Sequence, residues 1–288
     1  MTWIIPHLKI QNANAFSSPY SVGFPAVTAW MGMAHKLQRE MQNKGFSDFE
    51  VKGVGICSHD FHLHTHKGPS DYVASIVGTA NPLDAKGGRP SFIEEPRCNL
   101  TASLILELED SYYSQKAELA IILQEIVLSR LKAASGDIVE CDTPFFLGDK
   151  PLHRAIQPGF VLLDRREWLA ETMEEENLDA VDAVLEWLKV RSYWEKEGEN
   201  IVWRRSKKGH EEIEDIETAW LVPISVGYQG ITPLARAKGL RNSGYLHRFA
   251  ESVVTLAEFR SVYRVDLEDI FWRYAVDLNK SLYLCQQE

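Results

Sequence analysis

Several things are scarce in this 288-residue chain. Only four cysteines occur (Cys57, Cys98, Cys141 and Cys285), far apart and with no C-x-x-C pair, which argues against a disulfide framework and a structural zinc site and favours reduced, buried thiols. No run of eighteen apolar residues is present, so no membrane span is expected. The opening MTWIIPHLKIQ has neither a basic leader nor a small-residue cleavage site, so no targeting segment is expected and a cytoplasmic location follows. Walker, G-x-G-x-x-G, H-E-x-x-H and G-x-S-x-G patterns are all missing, which removes the motif-based case for a nucleotide loop, a zinc protease or a serine hydrolase. Positive charge is short as well. The net charge of −10 repels polyanions, so any nucleic-acid site must be a local patch.

What is present reads as a globular protein, 45% hydrophobic and 25% charged, long enough for one large domain or two closely joined ones. WIIPHLKIQ (3 to 11) begins a strand that ends in the polar QNANAFSSP. From Pro25 the residues Val27, Trp30, Met31, Ala34, Leu37 and Met41 recur at helical spacing until Gly45. FEVKGVGICSHDFHLHTH alternates as a long strand and NLTASLILELE (99 to 109) as an apolar one, the two facing each other across a Gly/Pro/Asp-rich stretch. Residues 115 to 135 show a helical stripe, and DIVEC resumes an extended pattern. Strand, helix, strand, strand, helix, strand is the split βαβ order of ferredoxin-like and RNA-recognition folds, so the class is α+β. Further on, FVLLDR (160 to 165) reads as a strand and 167 to 195 as helical and acidic. NIVWRRSKKGHEEIEDIETAWLVPI reads as two strands around a charged turn, and 245 to 280 as one or two aromatic-rich helices.

HDFHLHTHK (59 to 67) holds four of nine histidines. On an extended chain Asp60, His62, His64 and His66 share one face, about 6.5 to 7 Å between neighbours, close enough for two imidazoles to grip one ion. No third ligand follows at a diagnostic spacing and no lysine or tyrosine is patterned beside them, so neither a metal nor a catalytic site is assigned and no cofactor is expected. Asn12, Asn14, Ser17 and Ser18 have side chains able to bind phosphates or base edges, and equally able to cap a helix and close turns. The connection from Gly68 to Pro96, bearing Lys67, Lys86, Arg89 and Arg97 at or near it, is longer than a simple hairpin needs. RRSKKGH (204 to 210) is balanced by EEIEDIE. Arg236, Lys238, Arg241 and Arg248 are interleaved with Tyr228, Tyr245 and Phe249, a mixture that suits RNA backbone and stacked bases or a plain core.

The segment IPHLKIQNANAFSSPYSVGFPAVTAWMGMAHKLQRE resembles the crRNA 5′-handle-binding subunit of type I-F CRISPR surveillance complexes, the Cas-five-like member of the Csy group. Shorter similarities continue through NPL (81 to 83), IEEPR (93 to 97), QPGFVLL (157 to 163), WLVPISVGYQGITPL (220 to 234), LRN (240 to 242) and RFAES (248 to 252). The resemblance implies an RNA-recognition-like palm with a β-hairpin thumb. The palm would span 1–165 with the thumb at about 62–97, followed by a helical insertion over 166–215 and a C-terminal β-hairpin and helices over 216–288. It implies a non-catalytic subunit that holds the crRNA handle, pairs with the large subunit, abuts the repeated backbone subunit and meets target DNA indirectly, with no membrane role. Asn12, Asn14, Ser17 and Ser18 are carried over as handle contacts, with Arg97, Arg241, Asn242 and Arg248 as secondary ones. The H-x-H-x-H run is no feature of that family, and 170 to 215 matches it poorly. The competing reading is an endoribonuclease or metal-dependent enzyme built on His62, His64 and His66.

Overall fold

A computed structural model describes residues 1–79, 83–88, 95–109, 115–198, 200–206, 220–239 and 244–288. β1 (Thr2–Asn14) leads into a small hairpin, β2 (Phe16–Ser18) and β3 (Ser21–Val22), and then α1 (Val27–Asn43). β4 (Val51–Leu63) is followed by the two-residue strands β5 (Thr65–His66), β6 (Ser75–Ile76) and β7 (Gly78–Thr79), and by the long β8 (Glu95–Leu108). Next come α2 (Lys116–Arg130), β9 (Lys132–Ala133), β10 (Gly136–Glu140), β11 (Phe145–Phe146), α3 (Leu152–Ala155) and β12 (Phe160–Asp164). The remainder comprises α4 (Arg166–Glu176), α5 (Ala180–Leu188), β13 (Arg191–Glu197), β14 (Asn200–Ser206), β15 (Trp220–Gly230), β16 (Ala250–Ser261), two 3-10 turns (Val262–Arg264, Leu267–Ile270), β17 (Arg273–Asp277) and β18 (Leu282–Gln286).

One twelve-stranded sheet runs β17-β18-β15-β16-β12-β4-β8-β1-β10-β9, with β11 paired to β1 and β7 to β8 off this path, and its pairings are antiparallel. Alternation in β1, β4 and β8 sends Trp3, Ile5, Val54, Ile56, Ala102, Leu104 and Leu106 to the face covered by α1 and α2. Ile4, Cys57 and Ile105 go to the reverse face, where Leu152, Ile156, Val161 and Ile270 cover them. α1 has no side-chain cap at Ala26, a loss of about 1 kcal/mol, but it buries Val27, Trp30, Met31, Met33, Leu37 and Met41 at about 1.5–3 kcal/mol each, so packing holds it. Val54 and Trp272 exchange both backbone hydrogen bonds at 3.0 Å, which returns β17 toward β4 and closes that half of the sheet into a ring around the fully buried Trp272 indole.

The cysteines are free and buried, and burial pushes each thiol up to about 12, so none is a reactive thiolate. Three sequence expectations fail. The aromatic-rich 245 to 280 region is not helical but forms β16, two 3-10 turns and β17, because its apolar residues meet β15 and β18 rather than one helical stripe. Helix over 167 to 195 stops at Leu188. Asn177, left-handed at φ 52°, ends α4, Asp179 Oδ1 caps α5, and β13 follows, so the described part of 166–215 holds two helices and then the β13–β14 hairpin. The strands on either side of the charged turn do not pair with each other either. β14 pairs back with β13, while β15 pairs with β16 and β18; the turn itself, 207–219, lies outside the described residues.

Candidate nucleic-acid interface

The end of β1 is shaped by a bulge. Asn12 adopts φ 56° between the registers of Ile10 and Ala13, its N–H donates to Asn99 Oδ1 (3.0 Å), and its carbonyl accepts from Arg97 Nη1 (3.3 Å). The bulge lies on Gly136, where an added Cβ would sit 2.7 Å from the Gln11 carbonyl and 2.8 Å from Ala13 backbone atoms. Ala134 and Ser135, both left-handed, make the tight turn from β9 to β10, and the Ala134 carbonyl accepts from the Asn14 N–H (2.8 Å). Asn14 folds its amide onto Phe16, donating to the Phe16 carbonyl (3.1 Å) and accepting from its N–H (3.0 Å). Ser21 Oγ meets Ser17 Oγ (2.9 Å) and Ser18 Oγ (2.8 Å), and buried Ser18 also accepts from the Tyr20 N–H. Asn14 and Ser18 therefore shape the β2–β3 hairpin, whereas Ser17 keeps part of its surface open.

These elements border a groove of about 410 Å³ lined by Asn14, Phe16, Ser17, Ser135, Tyr228, Tyr283 and the first turn of α1 at Ala26, Thr28 and Ala29. That turn has no acidic residue and no side-chain cap, so the positive end of a 17-residue helix faces the groove. Tyr228 and Tyr283 are register partners on β15 and β18, and the Tyr274 ring lies 5.5 Å from that of Tyr283, forming a half-exposed aromatic strip. Burial, and then the Tyr274–Tyr283 hydrogen bond, push the Tyr274 phenol up, so that ring stays neutral. Two residues beyond Tyr228 on the same side of β15, Gly230 leaves room for Arg248, whose guanidinium would lie 2.6 Å from an added Cβ. No carboxylate among the described residues pairs with Arg248. Arg97, by contrast, is tied to Glu95 at 2.6 Å. Arg241 and Asn242 lie outside the described residues. Tyr283 has no sequence signal of its own, since only the β15–β18 pairing brings it to the groove with Asn14, and Tyr274 reaches Tyr283 through the β17–β18 pairing.

The histidine run does not form one continuous row. β4 stops at Leu63, His64 donates its N–H to the Arg97 carbonyl (2.9 Å), and His66 belongs to the separate β5–β6 pair. His62 pairs with Asp60 at 3.1 Å. Among the described residues no three His, Cys, Asp or Glu side chains gather closely enough to hold one metal ion. His59 sits at a bulge and turns inward, its Nδ1 on the Pro158 carbonyl (2.5 Å) and its Nε2 on Ser103 Oγ (2.6 Å). Nδ1 must then carry the proton, so Ser103 donates to Nε2 while accepting from the His7 N–H (3.0 Å). The His7 ring lies 4.6 Å from that of His59, tilted by 53°, and reaches Asp142 Oδ2 at 2.8 Å. Burial first, and then the neighbouring His7, hold His59 below the usual histidine range against the opposing Pro158 carbonyl. Ser103 is fully buried, which closes this serine–histidine pair to solvent substrates. Beyond it the uncovered sheet face presents Lys9, Gln11, Asp60, His62, Asn99, Asp137 and Glu140, with Lys9–Glu140 at 3.5 Å and Lys132–Asp137 at 2.6 Å. That face has matched charges and no Phe, Tyr or Trp among these residues, a poor platform for bases and phosphates.

Two half-exposed tyrosines and an open helix start line one groove, with Arg248 two residues along β15 at Gly230, on a predominantly antiparallel α/β fold, and together they define a protein with a candidate ligand groove. Comparison with known proteins gives the family. The sequence model described as "CRISPR-associated protein (Cas_Csy2)" matches residues 3–285, so the chain belongs to the CRISPR-associated Csy2 family of type I-F Csy subunits. It is 31% identical over 320 aligned residues to the CRISPR-associated protein Csy2 of Pseudomonas aeruginosa strain UCBPP-PA14, covering 97% of this chain and 93% of that protein. The resemblance drawn from the sequence is thereby shown at the level of family.

Proposed function

We propose that this chain is a non-catalytic RNA-holding subunit of a type I-F CRISPR surveillance complex, and that the groove at the end of β1 receives the 5′ handle of crRNA. The observation that carries this reading is the convergence of the Asn14–Ser17 segment, the positive start of α1 and the Tyr228–Tyr283 pair on one groove. Single-stranded RNA is held by stacking of unpaired bases and by neutralised phosphates, and this groove offers both. Ser17 and Arg248 are proposed to touch the RNA. Asn12, Asn14, Ser18 and Arg97 hold the bulge and hairpin that shape the groove, and Arg241 and Asn242 remain proposed contacts. The order β10-β1-β8-β4 with α1 and α2 on one face supports a ferredoxin-like palm over 1–165, and the β5–β6 pair falls within the proposed thumb at 62–97.

In this reading the chain acts in the cytoplasm with crRNA, the large subunit and the repeated backbone subunit, and meets target DNA only through the guide. No described helix is long and apolar enough to cross a membrane. The test is co-expression with the neighbouring subunits and guide RNA, followed by measurement of handle affinity. Changing Tyr228→Ala and Tyr283→Ala together should weaken handle binding by about tenfold or more, since a lost base stack costs about 1–3 kcal/mol. Unchanged affinity, with the handle crosslinking to another subunit alone, would refute the groove. Cleavage of precursor RNA abolished by alanine at His62 and His64 would revive the enzymatic reading.

A further inference from the structure

α5, AVDAVLEWL, is apolar on two sides. Ala183 and Trp187 are buried against Leu169, Leu221 and Leu256. Val181 and Leu185, about 200° around the helix from them, are 65% and 55% exposed. Beside Leu185 a shallow groove of about 460 Å³ is lined by Asp182, Leu185, Glu186, Leu188 and Lys189, all on α5 or its C-terminal cap. Only Asp182 and Glu186 interrupt the apolar residues of this helix, and the folded chain covers the side of Ala183, Val184, Trp187 and Leu188 while Val181 and Leu185 stay bare.

The charge at the end of α4, separated from α5 by three residues, and on α5 itself says what kind of surface fits the bare side. α4 ends on Glu174, Glu175 and Glu176 with no basic residue in its last turn, so like charges stand together at the negative end of the helix dipole. Glu174, Glu175 and Asp182 have no cationic partner among the described residues. This arrangement is locally unfavourable and a cation would relieve it. It also repels RNA, DNA and a second copy of this chain, whose net charge is −10. We infer that the exposed face of α5 and its groove form a docking surface for a cationic amphipathic segment of another protein, with aliphatic side chains seated on Val181 and Leu185 and lysines or arginines beside Glu174, Glu175 and Asp182. The surface lies beside Leu221, roughly 23 Å along β15 from Tyr228 at strand spacing, so it is separate from the RNA groove.

The probe is a labelled helical peptide with leucines on one side and lysines on the other, titrated by anisotropy onto the full chain. Its controls are a serine/lysine peptide of equal charge and a leucine/glutamate twin. The leucine/lysine peptide should bind and both controls should bind at least about tenfold less well. Val181→Ser with Leu185→Ser, both at solvent-facing positions, should weaken binding by about tenfold or more, and Glu174→Gln with Glu175→Gln should weaken it and flatten its salt dependence. Tyr228→Ala should leave it unchanged. Equal binding to the serine pair, equal binding of the serine/lysine peptide, or loss on Tyr228→Ala would each overturn the inference.

Discussion

Both ring nitrogens of His59 are engaged, one by the Pro158 carbonyl and one by Ser103, and this fixes the neutral imidazole. Protonation would remove the acceptor that Ser103 needs and place a cation beside His7. The groups facing it are His7, Ser103 and the Pro158 carbonyl, with Asp142 reached only through His7. Because its folded pKa is lowered, the stabilisation it gives is present above the unfolded value of about 6.5 and is lost as pH falls through the folded value. Urea unfolding across that range should therefore show stability falling on acidification, and His59→Gln should reduce the slope. An identical slope in the variant would show that another group titrates. The same residue marks a limit of sequence reading: an alternating pattern placed Asp60 and His62 together on a strand, but the bulge that turns His59 inward depends on β8 alongside.

At the scale of elements, periodic hydrophobicity was enough wherever one side of a helix or strand met one core. α1, β4, β8, β10 and β12 lie close to the expected segments for that reason. It was not enough where a segment meets partners on several sides. β16 and β17 carry aromatics that suit a helix or a strand equally, and only closure around Trp272 makes them strands. Trp272 fills the ring and donates its indole N–H to the Leu162 carbonyl at 3.1 Å. Trp272→Ala should cost about 3–5 kcal/mol in urea unfolding, the range for emptying a large core site. A loss below about 1 kcal/mol would mean that the ring collapses onto the gap.

For the whole molecule the question is how a chain of net charge −10 holds RNA. Among the described residues the groove is lined by no lysine or arginine and offers only the start of α1, with Arg248 against Gly230 nearby, so few phosphates can be neutralised by the chain alone. The isolated chain should bind handle RNA weakly and lose affinity with salt, with a slope of about 0.7 per neutralised phosphate that becomes shallower by about that amount in Arg248→Ala. Filter binding over a salt titration reads both, and tight, salt-insensitive binding by the lone chain would contradict the charge argument. Of the candidate site, the Asn14–Ser17 half could be read in the sequence because its residues are contiguous. Tyr283 could not, being more than 250 residues away along the chain from Asn14 in numbering.

The order of apolar and polar residues alone set the first strand and helix, the two long central strands and the buried thiols, since each follows from local spacing and the transfer of apolar surface out of water. Which strands pair across long separations, which of the two faces of α5 stays bare and which tyrosines meet Asn14 were decided only by the assembled sheet. Those outcomes depend on register and on closure around Trp272, and neither is a property of any short stretch of chain.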